Sequence, residues 1–276
     1  MKKRTNWRKV TLYSSIIIYL FIIIFPFIWT LITSFKTSGE IMGENALRII
    51  PEVFTWDNYT VLFEKGILGA LKTSFIVSMS TTLYIVVVAT LASYAISRFH
   101  FKGKSLLMGL ILAVSMFPQM ITVGPIYQLF LNLGWTNSYA VVLPYSTITL
   151  PLAVWILVTH FNQIPHGIEE AARIDGASPL QTLVRVIFPL AAPGVFTTGI
   201  IVFISAWNEF LLTITLNINR EYHTVPVFMS FLKEQFSILW GEVTAATIVV
   251  TIPTLIIVLL FQKQIVSGLV SGSIKE

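Results

Sequence analysis

The segment EEAARIDGASPLQTLVRVIFP, residues 169–189, interrupts an otherwise apolar chain with a run of charged residues. Upstream of it, no Asp, Glu, Lys or Arg occurs between Ser105 and Ile168. A membrane-crossing helix needs about 20 mostly apolar residues, so this charge-free stretch is long enough for two crossings and too long for one element of a soluble core. The pattern predicts a polytopic membrane protein in which residues 169–189 lie outside the lipid.

The composition agrees with a membrane environment. Of the 276 residues, 55% are hydrophobic and 11% are charged, whereas a soluble domain carries roughly a quarter charged residues. The net charge of +5 does not indicate nucleic-acid binding, because five basic residues are concentrated in the first nine, MKKRTNWRK. The chain has no cysteine and its four histidines are scattered, so the sequence predicts neither a disulfide nor a metal site.

Six stretches are long and apolar enough to cross a bilayer. They cover residues 12–33, 73–96, 105–131, 139–158, 193–216 and 243–261. The first is too long for the apolar core of a signal peptide, about 7–15 residues, and no small-residue cleavage site follows it, so we expect it to remain as a span. A polar hairpin, NLGWTNS at 132–138, separates the third span from the fourth. The predicted fold class is therefore all-α, with six transmembrane helices.

Lysine and arginine near the span ends predict the orientation, since they concentrate on the cytoplasmic side. Basic residues occur in the N-terminal head and in SRFHFKGK at 97–104, but not in the hairpin at 132–138. Both termini and residues 169–189 are therefore predicted to be cytoplasmic. We divide the chain into a head with the first span and outer loop (1–71), a core of five spans (72–263) and a cytoplasmic tail (264–276).

The charged segment, with the four residues before it (165–189), predicts two short helices that meet at a corner. Pro165 suits the first turn of a helix, Gly176 suits a left-handed C-cap, and the spacing of Glu169 and Arg173 predicts an i, i+4 ion pair. A narrow apolar side is formed by Ile168, Ala171 and Ala172.

The second helix begins at Ser178, with Pro179 in its first turn and Gln181 completing a capping box. Its apolar face consists of Leu180, Leu183, Val184 and Ile187. The pattern alone leaves two interpretations: a rigid elbow that contacts a cytoplasmic partner, or an amphipathic hairpin that rests on the membrane. Glu170 is accordingly either a docking group or a solvated charge.

Two longer connections are predicted on the outer side. TWDNYTVLFEKG at 55–66 predicts a short helix, and residues 217–242 predict a polar, irregular loop that contacts an outside partner. The side of the helix suited to the membrane interface carries Trp56, Tyr59, Leu62 and Phe63. Ordinary connecting loops are the alternative for both.

Glu209 is an acidic residue well inside the fifth span, next to Trp207 and Asn208. An ionisable group in a membrane is costly, so it should face a cavity or a partner. We predict that these three residues belong to the polar wall or the outer gate of a translocation pathway. A structural hydrogen-bonding role between helices is the alternative.

The sequence predicts no catalytic residue and no cofactor bound by this chain. GKS at 103–105 resembles the end of a phosphate-binding loop, but the required glycine is replaced by Arg98 and no strand precedes it.

Residues 169–189 resemble the EAA loop of ATP-binding-cassette (ABC) importer permeases. The likeness rests on Glu170, Ala171 and Ala172, a glycine six positions after the glutamate (Gly176), and an ending at Pro189. Further stretches resemble the MalG-like, maltose-type sugar permeases, so the likeness covers nearly the whole chain. They are FPFIWTLITSFKT (25–37), YAISRFHFKGKS (94–105), AWNEFLL (206–212) and VSGLVSGSIK (266–275). Val186 and Phe188 stand where Ile and Leu are usual.

The resemblance implies one permease subunit of a bacterial or archaeal inner-membrane importer for a carbohydrate, with a di- or oligosaccharide expected. The implied partners are a second, MalF-like permease subunit, an ABC ATPase dimer that binds ATP and Mg, and an extracytoplasmic solute-binding protein. The implied ATPase-docking residues are Glu169, Glu170, Ala171, Ala172, Asp175, Gly176 and Pro189. By the same analogy, the C-terminal tail around 268–275 contacts the ATPase.

Two other function classes fit a polytopic membrane protein. An ion-coupled secondary transporter tends to show inverted repeats and several midplane charges, and the sequence shows neither. A membrane scaffold without transport fits the composition but leaves the 169–189 segment unexplained.

Overall fold

The computed structural model describes residues 7–233 and 238–271, which are helical without an extended strand. The α-helices are α1 (Trp7–Thr33), α2 (Ser38–Met42), α3 (Asp57–Glu64), α4 (Ile67–Arg98), α5 (Lys104–Ser115), α6 (Gln119–Leu133), α7 (Ser146–Gln163), α8 (His166–Ile174), α9 (Pro179–Thr182), α10 (Phe188–Trp207), α11 (Leu211–Leu216), α12 (Val225–Ser230) and α13 (Trp240–Ser271). A π-helical turn, Leu183–Ile187, joins α9 to α10, and a 3-10 turn, Tyr139–Val142, precedes α7. The predicted all-α class is confirmed for these residues.

Five segments are long and apolar enough to cross a membrane as single helices. They are Lys9–Thr33, Ile67–Arg98, Tyr139–Gln163, Pro179–Trp207 and Trp240–Gln262. A sixth crossing is formed if α5 and α6 count together, although the two helices are bent by 92° relative to each other. The described residues therefore hold five crossings and one broken one, and the side on which the termini lie stays a prediction.

The third predicted span, 105–131, was wrong as a single helix. Between α5 and α6, Pro118 has extended backbone angles, φ −61° and ψ 122°. Proline has no N–H to donate and disfavours helical geometry in the residue before it, so the helix stops and restarts in another direction.

The fifth predicted span, 193–216, was wrong at both ends. Its helix begins at Pro179, so the second short helix of the 169–189 segment continues directly into the membrane. The π turn makes this continuation feasible, because Phe188 N–H bonds to Leu183 five residues back and the wider turn relieves the clash between Pro189 and the preceding turn. At the other end, α10 stops at Trp207 and α11 begins at Leu211.

Among the described residues, one compact unit comprises 7–67, 229–233 and 238–255. The membrane-crossing window of α1 buries no residue within the chain, so its apolar surface is left to lipid or another polypeptide. The predicted short helix within 55–66 is confirmed as α3, although Tyr59 and Leu62 of its predicted interfacial side are buried within the chain. Asn58 of α3 donates hydrogen bonds to the carbonyls of Ser34 and Lys36 at 2.9 Å each. These bonds hold the turn that follows α1 against α3 and satisfy buried carbonyls outside the helix.

The second unit comprises the described residues 68–228 and 256–271. Its main core joins α4, α7, the π turn and α10 through buried side chains such as Ile85, Leu157 and Ile187. α7 and α10 approach closely at Gly194, where an added Cβ would lie 2.6 Å from Cγ of His160. A smaller core at the other end of the spans includes Phe130 and Tyr145.

The prediction of an irregular segment at 217–242 was wrong in part. It contains α12, and Val225 N–H donates to Ser74 Oγ of α4 at 2.7 Å. The segment is held because its buried backbone groups find partners on a neighbouring helix. Residues 1–6, 234–237 and 272–276 lie outside the described residues, and so do most of the basic head and the last residues of the predicted tail contact.

Candidate coupling site

The corner predicted within residues 165–189 is present. α8 ends at Ile174, and the chain turns at Gly176, whose φ of 83° is left-handed. Ala177 N–H donates to Ala172 O at 3.0 Å, the six-to-one bond of a Schellman motif. On the other side of the corner, Ser178 and Gln181 form the predicted capping box, with bonds of 2.9 and 3.3 Å. Each helix end is satisfied locally, so the elbow has a defined shape.

The predicted docking residues do not share one environment. The exposed ones are Glu170, Ala171, Asp175, Gly176 and Pro189, whereas Glu169 and Ala172 are buried. Glu169 and Glu170 are adjacent on a helix and therefore point about 100° apart, one toward the chain and the other away from it. Contact of these residues with an ATPase stays a prediction, and Glu170 is the acid available for it.

The carboxylate of Glu169 is bound inside the chain. Its Oε1 accepts a hydrogen bond from Nε of Arg98, at the end of α4, and its Oε2 lies 3.5 Å from the hydroxyl of Tyr94. The predicted ion pair of Glu169 with Arg173 was therefore wrong, because Arg98 binds the same carboxylate at a buried position while Arg173 remains exposed.

An apolar side chain at the tip of the elbow was missed by the sequence interpretation. Ile174 is 87% exposed, and Leu180 across the corner is 62% exposed. The corner also contains a recess whose lining includes one acid and one base, Asp175 and Arg185. Exposed apolar groups bordered by charges are typical of a surface that binds another protein.

The second predicted group, Trp207, Asn208 and Glu209, lies at the break between α10 and α11. Trp207 is buried and stacks on Phe203 with ring centroids 5.7 Å apart, whereas Asn208 is exposed and donates to Ile204 O at 2.8 Å. Glu209 is 7% exposed and accepts bonds from the N–H groups of Leu212 and Thr213 at 2.7 and 3.2 Å. The carboxylate thus caps α11, where a negative charge is favourable.

Glu209 also connects the break between α10 and α11 with the starts of two other helices, α6 and α7. Gln119, the first residue of α6 after the bend at Pro118, donates its amide to Glu209 Oε1 at 3.0 Å. Tyr145, just before α7, has its hydroxyl 2.5 Å from Thr213 Oγ1, which in turn lies 3.4 Å from Glu209 Oε2. The structure favours the hydrogen-bonding role over direct exposure to a pathway, and the gate assignment of these residues stays a prediction.

No three His, Asp or Glu side chains within residues 7–233 and 238–271 are arranged to hold a metal ion.

Residues 85–270 match the family described as binding-protein-dependent transport system inner membrane component. The chain belongs to this family. The match includes both the Arg98–Glu169 pair and the Glu209 cap. The permease is 40% identical to the trehalose/maltose transport system permease protein MalG of Thermococcus litoralis, over 97% of each chain. It is 37% identical to the sulfoquinovosyl glycerol transport system permease protein SmoH of Agrobacterium fabrum, over 91% of this chain and 89% of the relative.

A crystal structure of a bacterial ABC transporter involved in the import of the acidic polysaccharide alginate shares the fold. Its TM-score is 0.80 at 18% identity, with 95% of the permease and 98% of that chain covered. The predicted resemblance to MalG-like permeases is confirmed by the family match and by the two relatives. Both relatives are named as permease proteins of transport systems, and the family description is that of an inner membrane component.

Proposed function

We propose that the chain is one permease subunit of an ATP-driven importer for a carbohydrate, with a disaccharide as the first candidate. The observation that carries the proposal is the elbow at 165–189, a rigidly capped corner that presents Glu170 and Ile174 to a partner. The relatives named above transport sugar-containing solutes, trehalose and maltose in one case and sulfoquinovosyl glycerol in the other.

In this proposal a MalF-like subunit completes the pathway and an ABC ATPase dimer, which binds ATP and Mg, holds the elbow on the cytoplasmic side. An extracytoplasmic solute-binding protein delivers the sugar. Closure of the ATPase dimer moves α8, and the helices attached to it alternate between inward and outward access. The chain itself binds no cofactor.

Uptake in proteoliposomes tests the energy source. We expect vesicles with this chain, its second permease and the ATPase to accumulate radiolabelled maltose or trehalose when the binding protein is outside and ATP is enclosed. A protonophore with a sodium ionophore should leave the rate unchanged, because no ion gradient is used. Uptake that stops with the ionophores while ATP remains intact would favour an ion-coupled secondary transporter instead.

The orientation is tested by single cysteines, since the natural chain has none. Ile174→Cys at the tip of the elbow should react with a membrane-impermeant maleimide only after cells are opened. Trp135→Cys in the 132–138 hairpin should react in intact spheroplasts, and it serves as the matched control for reagent access. Labelling of Ile174→Cys in intact spheroplasts would place the elbow outside and remove the basis of the ATPase contact.

A further inference from the structure

The ion pair between α4 and α8 is almost completely removed from solvent. The side chains of Arg98 and Glu169 are 1% and 4% exposed, and Nε of the arginine donates to Oε1 of the glutamate. Charges buried to this extent are retained only when they are paired. The pair is therefore a fixed connection between the last turn of α4 and the first turn of α8.

The same arginine also holds the end of the preceding span. Its Nη2 donates to the carbonyl of Ile164, the C-cap of α7, at 3.0 Å. One planar guanidinium thus binds both ends of the short connection 164–169, and its fork geometry fixes the two acceptors relative to each other. Tyr94, which lies 3.5 Å from Glu169, packs edge-on against Phe161 of α7.

Stability alone does not account for this pair. Buried ion pairs can often be replaced by apolar side chains without loss of stability. Here Nη1 of Arg98 is buried with no hydrogen-bond partner, which adds a further cost to the arrangement. Stability therefore need not be the whole role of the pair.

The geometry of α8 indicates a further role. The helix has nine residues, and it lies between two corners, extended backbone at Pro165 and left-handed backbone at Gly176. A helix this short has little stability of its own and would swivel at both corners if only its ends were attached. The buried pair attaches its first turn to the bundle.

We propose that Arg98 and Glu169 form the joint that passes displacement of α8 to α4 and to the end of α7. The inference rests on the proposed function, in which an ATPase moves the elbow. In this proposal the exposed Glu170 contacts the ATPase, whereas the buried Glu169 contacts Arg98 in the helix bundle. Each of the two adjacent carboxylates therefore has its own partner. Arg98 and Glu169 are positioning residues, because they act through the helices that they join.

The test compares solute transport with ATP hydrolysis in the reconstituted complex. Loss of one partner of a buried pair lowers the stability of the complex, so rates are compared at equal amounts of assembled complex. Under that condition we expect Arg98→Gln and Glu169→Gln to keep ATP hydrolysis within about twofold of the natural protein while uptake falls by about tenfold or more, so the ATP consumed per solute rises. Arg98→Lys keeps the positive charge but loses the planar guanidinium that binds two acceptors at once. We expect this variant to assemble normally and to hydrolyse an intermediate number of ATP molecules per solute transported. The exchange Arg98→Glu with Glu169→Arg should restore at least half of the uptake lost in the single variants.

Lys102→Gln is the matched control, since it removes one exposed positive charge a few residues beyond α4. This variant should hydrolyse as much ATP per solute transported as the natural protein. The proposal would be overturned if uptake and ATP hydrolysis fell in the same proportion in all variants. It would also be overturned if both glutamine variants hydrolysed as much ATP per solute transported as the natural protein. Failure of the proposed function is distinguishable, because vesicles with the natural protein would then show no ATP-driven uptake.

Discussion

Membranes that carry Glu170→Lys should contain the permease at its normal level but retain few ATPase subunits after detergent extraction. Glu170 is exposed on α8, and the resemblance to EAA loops implies a basic residue opposite it on the ATPase. Loss of one partner of a desolvated interfacial charge pair costs about 2–5 kcal/mol, and reversal adds repulsion. A loss of 2 kcal/mol corresponds to roughly 30-fold in affinity. Co-purification on a tag attached to the permease measures the retained ATPase.

Two further variants separate charge from shape at this position. Glu170→Gln should retain an intermediate amount of ATPase, because it removes the charge without reversing it. Glu44→Lys makes the same charge reversal at an exposed position in the loop between α2 and α3, and it should co-purify normally. Normal retention of the ATPase by Glu170→Lys would contradict the docking role.

The helix content and the corner at residues 165–189 could be predicted because they depend on local chemistry. Long apolar stretches predict spans, and the serine, glutamine and glycine at the corner satisfy helix ends within a few residues. The bend at Pro118 and the stop after Trp207 could not be located, since the apolar composition is the same on both sides of each break. The two breaks are joined by a hydrogen bond between Gln119 and Glu209, which are 90 positions apart in the sequence.

The pairing of Glu169 shows the same limit for the candidate site. Helical spacing favours Arg173, which is four residues away, and such exposed i, i+4 pairs are worth only about 0.3–0.5 kcal/mol. Arg98 lies 71 residues away and binds the carboxylate where water is excluded. A buried partner outweighs a local exposed one, and only the fold shows which partner is near. The division at residues 71 and 263 stays a prediction.

Glu209→Ala should destabilise the permease strongly, because several donors lose their shared acceptor. The change removes the acceptor for Leu212 N–H, Thr213 N–H and the amide of Gln119, all at a buried position. Unsatisfied buried donors cost about 1–3 kcal/mol each, and partial access of water reduces the sum, so we expect about 2–4 kcal/mol. The thermal midpoint of the purified complex and its ATP-driven uptake should both fall.

Glu209→Gln separates the charge from the shape of this cap. The amide keeps one acceptor oxygen for α11 but turns an NH₂ toward the remaining donors, so the loss should be smaller than with alanine. Glu221→Ala is the matched control, because it removes an exposed carboxylate from the same outer region and should shift the midpoint little. Equal midpoints for Glu209→Ala and Glu221→Ala would contradict the role of the carboxylate as a cap.

The connection between the two helix breaks is measured by combining Glu209→Ala with Gln119→Ala. If the 3.0 Å hydrogen bond links the bend after α5 to the start of α11, the two substitutions should be less than additive. Contacting residues in one network show coupling energies of about 0.5–3 kcal/mol, whereas independent sites add within about 0.5 kcal/mol. Additive losses would mean that Glu209 caps α11 alone and that the bend at Pro118 is held by other groups. A coupling within the expected range would mean that Glu209 stabilises both helix breaks. A conformational change at one break would then alter the hydrogen bonding at the other.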